Sequence, residues 1–454
     1  MSNTDSWTLQ VRTVEGERLA VVPYTSLMFS QELSGVGAAS CTFNLDSEFL
    51  TDTSTLYSDL LEEIHVWEVY RNGILIYDWI PTNIEFNYLN SERSREAVVS
   101  GKGLAEVLTH GCVLPPKENE SFITPTNSNS SAPLPWNLGD TSVYSYDGYN
   151  YGEANGEVPS MYHWVLMFRR VKERFAADTI SSSSPLEFLT VPSPISSGSY
   201  VWQSIIGEGE GSKQQNGVNL LELLDECIST EVQQYLEANI GANFTLDWLM
   251  KPGGELVVST EVGFDKSNEV IFSDSILYEK LRSVDRLDIK NYVITDSLDV
   301  DSYVPSVSLR TDETSRAKFG RRESYSTIDG DNLTRIEITG RSIVERYKDE
   351  LSSWNLKVPS YVELPSGEII NRPFVSGLNN SIDPSTGKIK KEVGYAVGDW
   401  IGIYSEDSVD SSRSRVKLRV SAISCNISPE EGASVELTLQ TNIQLLRELQ
   451  SVTR

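Results

Sequence analysis

The chain holds only three histidines, His65, His110 and His163, and none has a second ligand-type residue at metal-binding spacing. His65 falls in an alternating strand pattern near Trp67, His110 just after a short helix and His163 within one, so each reads as a structural residue. No HxxxH, HExxH, GxSxG or Walker pattern occurs, so zinc hydrolase, serine hydrolase and nucleotidase readings lose their usual support. The four cysteines (Cys41, Cys112, Cys227, Cys425) are scattered and form no CxxC pair, against a zinc or redox site. Asp296, Asp299 and Asp301 cluster in sequence, and Asp329-Gly-Asp-Asn332 resembles part of a calcium loop. Glu337, six after Asp331, is out of register for the loop's closing ligand, so a turn at Asp329-Gly330 is the better reading. Among 65 carboxylates some pair lies at glycosidase separation by chance, so such pairs say nothing here. No catalytic, cofactor-binding or metal-binding residue is assigned. One further set could bind something: Tyr144, Tyr146, Tyr149 and Tyr151, whose rings could stack on a sugar or bury against a neighbouring subunit.

The elements that would position these residues are mainly β. Trp7, Leu9 and Val11 alternate with Thr8, Gln10 and Arg12. A turn at Glu15-Gly16-Glu17 precedes Leu19–Val22, and Phe43 and Leu45 alternate after Cys41. Ile64–Tyr70 and Ile74–Tyr77 flank Arg71-Asn72-Gly73, and Asn-Gly between such runs predicts a type I′ hairpin. Ala97–Ser100 is a further strand, and Leu104–Leu108 a short helix. Pro115–Gly156 and Ile180–Gly198 are rich in Ser, Asn, Pro, Gly and Tyr and read as surface insertions. Between them Met161–Phe175 places Tyr162, Val165 and Leu166 at helical spacing. Asn219 can cap an amphipathic helix with Leu220, Leu221, Leu223, Leu224, Cys227 and Ile228 on its apolar face. Phe244–Trp248 and Leu256–Val258 flank a turn at Pro252-Gly-Gly254. Tyr292–Leu309 and Thr334–Glu337 are strand-like, and Arg341–Leu351 is a short amphipathic helix. Val416–Ser421 and Ser434–Gln440 alternate cleanly, Val397–Ile403 in part.

These elements predict a mainly β chain with an α+β insertion: two β-barrel or sandwich modules with an intervening α+β domain. The expected division is 1–110 (N-terminal barrel), 111–215 (insertion with surface loops and a short helix), 216–305 (α+β domain) and 306–454 (C-terminal barrel with a short helix). A chain of 454 residues is long enough for several such cores. The net charge of −27, 65 Asp and Glu against 38 Lys and Arg, opposes a grip on nucleic acid. It suits either simple solubility or a wall along which DNA slides without binding. The opening MSNTDSWTLQVR has neither a basic nor an apolar signal region, and no run reaches the ~18 apolar residues of a membrane span. The expectation is a soluble chain made in a host cytoplasm.

A series of segments stands out by order and spacing: Leu9-Gln-Val-Arg12, Val22-Pro-Tyr24, Gly35–Leu45 and Val66–Tyr77, then Trp79-Ile80 through Gly103. Phe244–Val258, Asn291-Tyr-Val-Ile294 and Phe319-Gly-Arg-Arg-Glu323 follow, and Tyr395-Ala-Val-Gly-Asp-Trp400, Val416–Val420 and Val435–Leu439 close the series. Together they resemble the minor tail proteins of actinobacterial and related siphophages, the tail-hub family, Phe319–Glu323 being similar to the family's Y-G-R-x-E element after an Asn-bearing strand. The resemblance implies a non-enzymatic virion protein at the tail tip, a homotrimer whose six tube-type barrels meet a hexameric ring. The implied partners are a distal tail protein ring, the tape-measure protein and a central fibre or other tip protein, with DNA passing through the lumen unbound. No cofactor is implied. The competing readings are a receptor- or carbohydrate-binding tip protein using the four tyrosines, and a cell-wall hydrolase.

Overall fold

The structure, a computed structural model, describes residues 6–13, 16–45, 65–89, 94–112, 144–146, 149–151, 185–191, 219–225, 246–259, 262–273, 276–286, 288–298, 307–329, 333–359, 369–374, 377–382, 389–405, 414–429 and 432–440, with positions 164, 168, 171, 172, 227, 228 and 232. The fold is mainly antiparallel β. The chain divides into two compact units: Met1–Glu231, Leu246–Val262 and Ser424–Ala433 form the first, and Val232–Thr245, Gly263–Ile423 and Ser434–Arg454 the second.

In the first unit β1 (Trp7–Arg12), β2 (Arg18–Val22), β3 (Ser26–Glu32), β4 (Ala38–Asn44), β5 (Val66–Arg71), β6 (Ile74–Leu89) and β7 (Ser94–Gly103) form an antiparallel sheet in the order β3-β4-β7-β6-β5-β1-β2. Alternation sends Leu9 and Val11, Leu27 and Phe29, Cys41 and Phe43, and Ala97 and Val99 to the buried side. The Asn-Gly turn between β5 and β6 is as predicted: Asn72 and Gly73 have φ of 51° and 79°, the pair of positive values a type I′ turn requires. Cross-strand aromatics fill the core. Trp67 lies directly opposite Trp79 in register, ring centroids 5.3 Å apart, and Phe29 stacks on Tyr77 at 5.2 Å. Leu104–Thr109 is a 3₁₀ turn that buries Leu104, Val107 and Leu108.

The helical segment expected at Met161–Phe175 buries Trp164, Phe168 and Val171, spaced by four and three, while Tyr162, Val165 and Leu166 lie outside the described residues. Trp164 and Phe168 stack at 5.5 Å, and the Trp164 indole donates to the Leu220 carbonyl at 2.7 Å. Asn219 caps the next helix as anticipated, its Oδ1 accepting from Glu222 N at 2.9 Å, and Leu220, Leu223, Leu224, Cys227 and Ile228 are buried. Two short hairpins complete the described part of this unit, β8 (Tyr144–Tyr146) with β9 (Tyr149–Tyr151), and β10 (Asp247–Lys251) with β11 (Glu255–Ser259).

The second unit carries three sheets. Two strands open it, β12 (Ile271–Phe272) and β13 (Glu279–Asp285), followed by β14 (Tyr292–Leu298), β15 (Val307–Thr311), helix α1 (Glu313–Phe319), β16 (Glu323–Asp329) and helix α2 (Leu333–Tyr347). Then come β17 (Leu351–Pro359), β18 (Ile369–Pro373), β19 (Gly377–Ile382), β20 (Ile389–Tyr395), β21 (Trp400–Ser405), β22 (Ser414–Ser428) and β23 (Gly432–Gln440), the end of β22 from Ser424 and the start of β23 to Ala433 belonging to the first unit. Strands β13, β17, β23, β22 and β21 pair in sequence, and β12 adds in parallel to β21. Trp354, Leu356 and Val358 face Leu439, Leu437 and Val435 in register, and all six are buried. The second sheet has the order β15-β14-β16, the third β18-β20-β19.

One element departs from expectation. Thr334–Glu337 read as a strand because β-branched residues alternate there, and the helix was expected only from Arg341. Instead Leu333–Tyr347 is one helix. Ile336, Gly340, Val344 and Tyr347 are buried at spacings of four, four and three along it, a stripe that packs on the β14–β15 pair. A Cβ at Gly340 would lie 2.8 Å from the Thr295 hydroxyl oxygen, so this glycine lets the helix approach the sheet. Burying that stripe outweighs the modest β preference of a few residues.

Trp79→Ala should destabilise the first unit by about 3–5 kcal/mol, since the indole is fully buried against Trp67. Phe86→Ala, on the exposed end of β6, should change stability by less than about 0.5 kcal/mol. Chemical denaturation of both variants checks the contrast.

Candidate functional site

The residues with chemical potential divide among three polar anchors and one tyrosine hairpin. In the first unit Glu68 on β5 lies directly opposite Asp78 on β6, and both are buried. Arg12 from β1 reaches Glu68 with Nε–Oε1 of 2.8 Å, and the Tyr70 hydroxyl donates to Glu68 Oε2 at 2.8 Å. The Arg12 guanidinium also sits 4.8 Å from the Phe188 ring centroid. Asp78 accepts a 2.6 Å bond from the Gly253 amide at the tip of the β10–β11 hairpin. Ser34 and Gln31 hold the same hairpin through the Trp248 and Met250 carbonyls. Burial, with the Glu68 charge adding to it, pushes the Asp78 carboxyl from the usual 3.8 up to about 7, against the opposing pull of the Gly253 amide and Arg12. Burial and the bond to Glu68 likewise raise Tyr70 to about 12. This carboxylate pair is engaged on both sides by the protein itself, and its chemistry is that of a clamp on a hairpin.

The second anchor is Asn291, fully buried just before β14. Its Nδ2 donates to the Gly320 carbonyl at 2.8 Å and to Ser315 Oγ at 3.1 Å, while its Oδ1 accepts from Arg322 N at 2.8 Å. Its backbone carbonyl accepts from Asp312 N, and its own N–H donates to Arg322 O. Asp312 caps α1 through Ser315 N at 2.8 Å, and the Ser315 hydroxyl donates to Lys348 O. The Asn-bearing segment and the Phe319-Gly-Arg-Arg-Glu323 element singled out in the sequence are therefore one construction. The asparagine holds the loop, and the loop displays Arg321 and Arg322. Arg321 lies 3.7 Å from the Tyr292 ring centroid and pairs with Glu323, and Arg316 approaches the same ring at 5.6 Å.

The third anchor is Asp399 of the Val-Gly-Asp-Trp segment. It is fully buried, accepts from Phe264 N at 2.7 Å and Ala396 N at 2.9 Å, and pairs with Lys266 at 3.1 Å. Lys266 also donates to the Gly394 carbonyl at 2.7 Å. The segment alternates only in part because its first three residues form this turn, and the strand begins at Trp400.

In the backbone register of the β8–β9 hairpin Tyr144 pairs with Tyr151 and Tyr146 with Tyr149. His65 is buried, His110 ends the 3₁₀ turn, and His163 lies outside the described residues. Cys41, Cys227 and Cys425 are buried and Cys112 is exposed. Asp296 is buried and accepts from the Tyr325 hydroxyl, Asp299 and Asp301 lie outside the described residues, and Glu337 pairs with Arg310 at 2.8 Å. Among the described residues no group of three or more His, Cys, Asp or Glu could hold a metal ion, and no helix is long and apolar enough to cross a membrane. Asn291 and Asp399 stood inside the matched segments, but nothing in the sequence assigned them their partners. Asp78 carried no sequence signal, because Gly253, which it binds, is 175 positions away.

Because the folded-state value of Asp78 is raised, its penalty is absent below about pH 4, grows as pH rises, and is complete above about pH 7. Asp78→Asn keeps an acceptor for Gly253 without the charge. It should therefore gain stability relative to the parent as pH goes from 4 to 8, by an amount on the order of 4 kcal/mol at most. Thermal melts across that range check the sign. Asn291→Ala should cost about 2–4 kcal/mol, since it strands the buried Arg322 amide and Gly320 carbonyl.

No protein-family model matches the chain, and no curated protein matches it. Solved structures do. The 43 kDa tail protein of prophage MuSo2 from Shewanella oneidensis aligns over 96% of this chain and 98% of its own, with a TM-score of 0.52 at 10% identity. The tail protein from Neisseria meningitidis MC58 aligns over 96% and 97%, with 0.49 at 11%, and prophage tail protein gp18 from Listeria monocytogenes EGD-e over 98% and 97%, with 0.45 at 10%. The chain is similar in fold to the MuSo2 tail protein from end to end.

Proposed function

We propose that this chain is a structural, non-enzymatic protein of a bacteriophage tail, the trimeric hub at the tail tip. The observation that carries the reading is the full-length fold similarity to the MuSo2 tail protein, which extends over both units and leaves almost none of either chain unmatched. The resemblance in sequence order supports it independently, because the quoted segments fall on elements of both units: β1, β2, β4 to β7, β10, β11, the Asn291 loop, and β21 to β23. In this reading residues 1–110 and 306–454 supply two tube-like modules per chain, six per trimer, facing a distal tail protein ring. The tape-measure protein and a central fibre or other tip protein are the remaining partners. The net charge of −27 gives DNA an unsticky wall in the lumen. The protein is made in the host cytoplasm and ends in the virion.

One observation favours a second reading, receptor or carbohydrate binding. The β8–β9 register pairs Tyr144 with Tyr151 and Tyr146 with Tyr149, and tyrosine rings are suited to stacking on sugars. Symmetry-resolved electron microscopy of the intact particle separates the two. Three copies on the tail axis are expected. Six copies, or density at the periphery with residues 144–151 outermost, would replace the hub with a ring or receptor-binding protein. Purified chain incubated with host cell walls should release no product, and clear hydrolysis would end the purely structural reading.

A further inference from the structure

Within the first unit the β10–β11 hairpin forms one wall of a small cavity. Gln31, Tyr77, Asp78 and Leu104 line one side of it, and Met250 and Pro252 of the hairpin line the other. The Tyr77 hydroxyl is buried and meets no hydrogen-bond partner among the described residues. This wall is therefore polar, and water can wet it once the hairpin lifts. The base of the hairpin is pinned. Ser34 N donates to the Trp248 carbonyl at 2.8 Å, Trp248 N donates to Ser34 Oγ at 3.0 Å, and the Trp248 side chain is buried. Thr190 joins the side through two backbone bonds of 2.9 Å, to Gly254 and Leu256. The tip is fastened differently. Pro252 and Gly253 fill a turn closed by the Gly254 amide on the Lys251 carbonyl at 3.1 Å, with Gly253 at φ of 87°. That turn makes no use of the Gly253 amide, which donates to the Asp78 carboxylate at 2.6 Å.

The bonds at Ser34 and Thr190 do not titrate, and the bond at Asp78 does. Asp78 is 4% exposed and Glu68, its partner in register, 5%. The nearby guanidinium, Arg12 on β1, makes its ion pair with Glu68. The Tyr70 hydroxyl on β5 is bound to Glu68 as well, while Tyr77 on β6 and Glu32 on β3 add no positive charge. On the hairpin Lys251 pairs with Glu255 at 3.3 Å, and Asp247 is buried at its start. Glu106 of the 3₁₀ turn accepts from Thr109, and Glu187, next to Phe188, is exposed. Burial and the Glu68 charge raise the Asp78 carboxyl to about 7, although the Gly253 amide and Arg12 pull the other way. Water reaching Asp78 beneath a lifted tip would return it toward its ordinary 3.8. A value raised in the closed state favours closure fully below about pH 4, and that advantage is lost as pH rises through about 7.

We infer that the hairpin tip, residues 250–254, is a latch on Asp78 that is shut in acid and loosens toward neutral pH, lifting about the base fixed at Trp248. Opening uncovers Gln31, Tyr77 and Asp78 together with the Gly253 amide. Hydrogen exchange of the full chain between pH 5 and 8, read by mass spectrometry and corrected for the intrinsic pH dependence of amide exchange, tests it. Peptides within 247–259 should exchange about ten to a hundred times faster at pH 8 than at pH 5. Peptides covering β5 and β7 should stay far better protected throughout. Asp78→Asn keeps an acceptor for Gly253 and should flatten the hairpin's pH profile. Glu68→Gln removes the neighbouring charge and should shrink the rise. Should Asp78→Asn fail to fold, Glu68→Gln decides. A flat profile in the parent, a rise that either folded variant keeps in full, or a hairpin that opens only together with β5 would overturn the latch.

Discussion

A buried carboxamide is tolerated only when fixed partners meet both its ends, and Asn291 has them in Gly320, Ser315 and the Arg322 amide. Gly320 and Arg322 belong to a helix C-terminus and the loop that follows it, where backbone groups would otherwise be left unpaired, and Ser315 to the first turn of that helix. The backbone of Asn291 ties the loop to the start of β14. The loop that carries Arg321 over Tyr292 is thus held by one neutral polar group that never reaches solvent.

The other anchors work by the same physics with charge added. Asp399 is buried against two amides and the Lys266 ammonium. Asp78 accepts from the Gly253 amide and faces a neighbouring carboxylate, Glu68, whose own cation is Arg12. Burial, with the Glu68 charge adding to it, holds the Asp78 proton toward neutrality. All three anchors fasten places where the chain leaves regular pairing: Asp78 a hairpin tip, Asn291 a helix end and Asp399 a strand entry. A sheet-rich fold needs such fixings because ladder bonds satisfy only the strands themselves.

The fold tolerates extensive sequence change, as the similarity at 10% identity demonstrates. The cores show how. They are built from alternating apolar positions facing one another in register, and any residues of about the right size can occupy them. Polar anchors need particular chemistry at particular places, whereas core positions need only volume and hydrophobicity. Likeness in sequence between chains of this fold is therefore faint, 10% identity with the MuSo2 tail protein.

The sequence by itself determined much of the local structure: the strands β1, β2 and β4 to β7, the Asn72-Gly73 turn, the Asn219 cap and the mainly β class. Each follows from interactions within a few residues, where side-chain period and backbone preference act directly. Tertiary structure alone decided that Thr334–Glu337 would join a helix, because the gain came from packing Ile336 and Val344 on a sheet the local pattern does not contain. It alone also brought Asp78 to Gly253, 175 positions away, and Asp399 to Phe264, 135 positions away. Likewise it left Leu309 and Tyr325 on an open face. Exposure and hydrogen-bond partnership are properties of what surrounds a residue in space, and the order of residues along the chain does not specify those surroundings until the chain has folded.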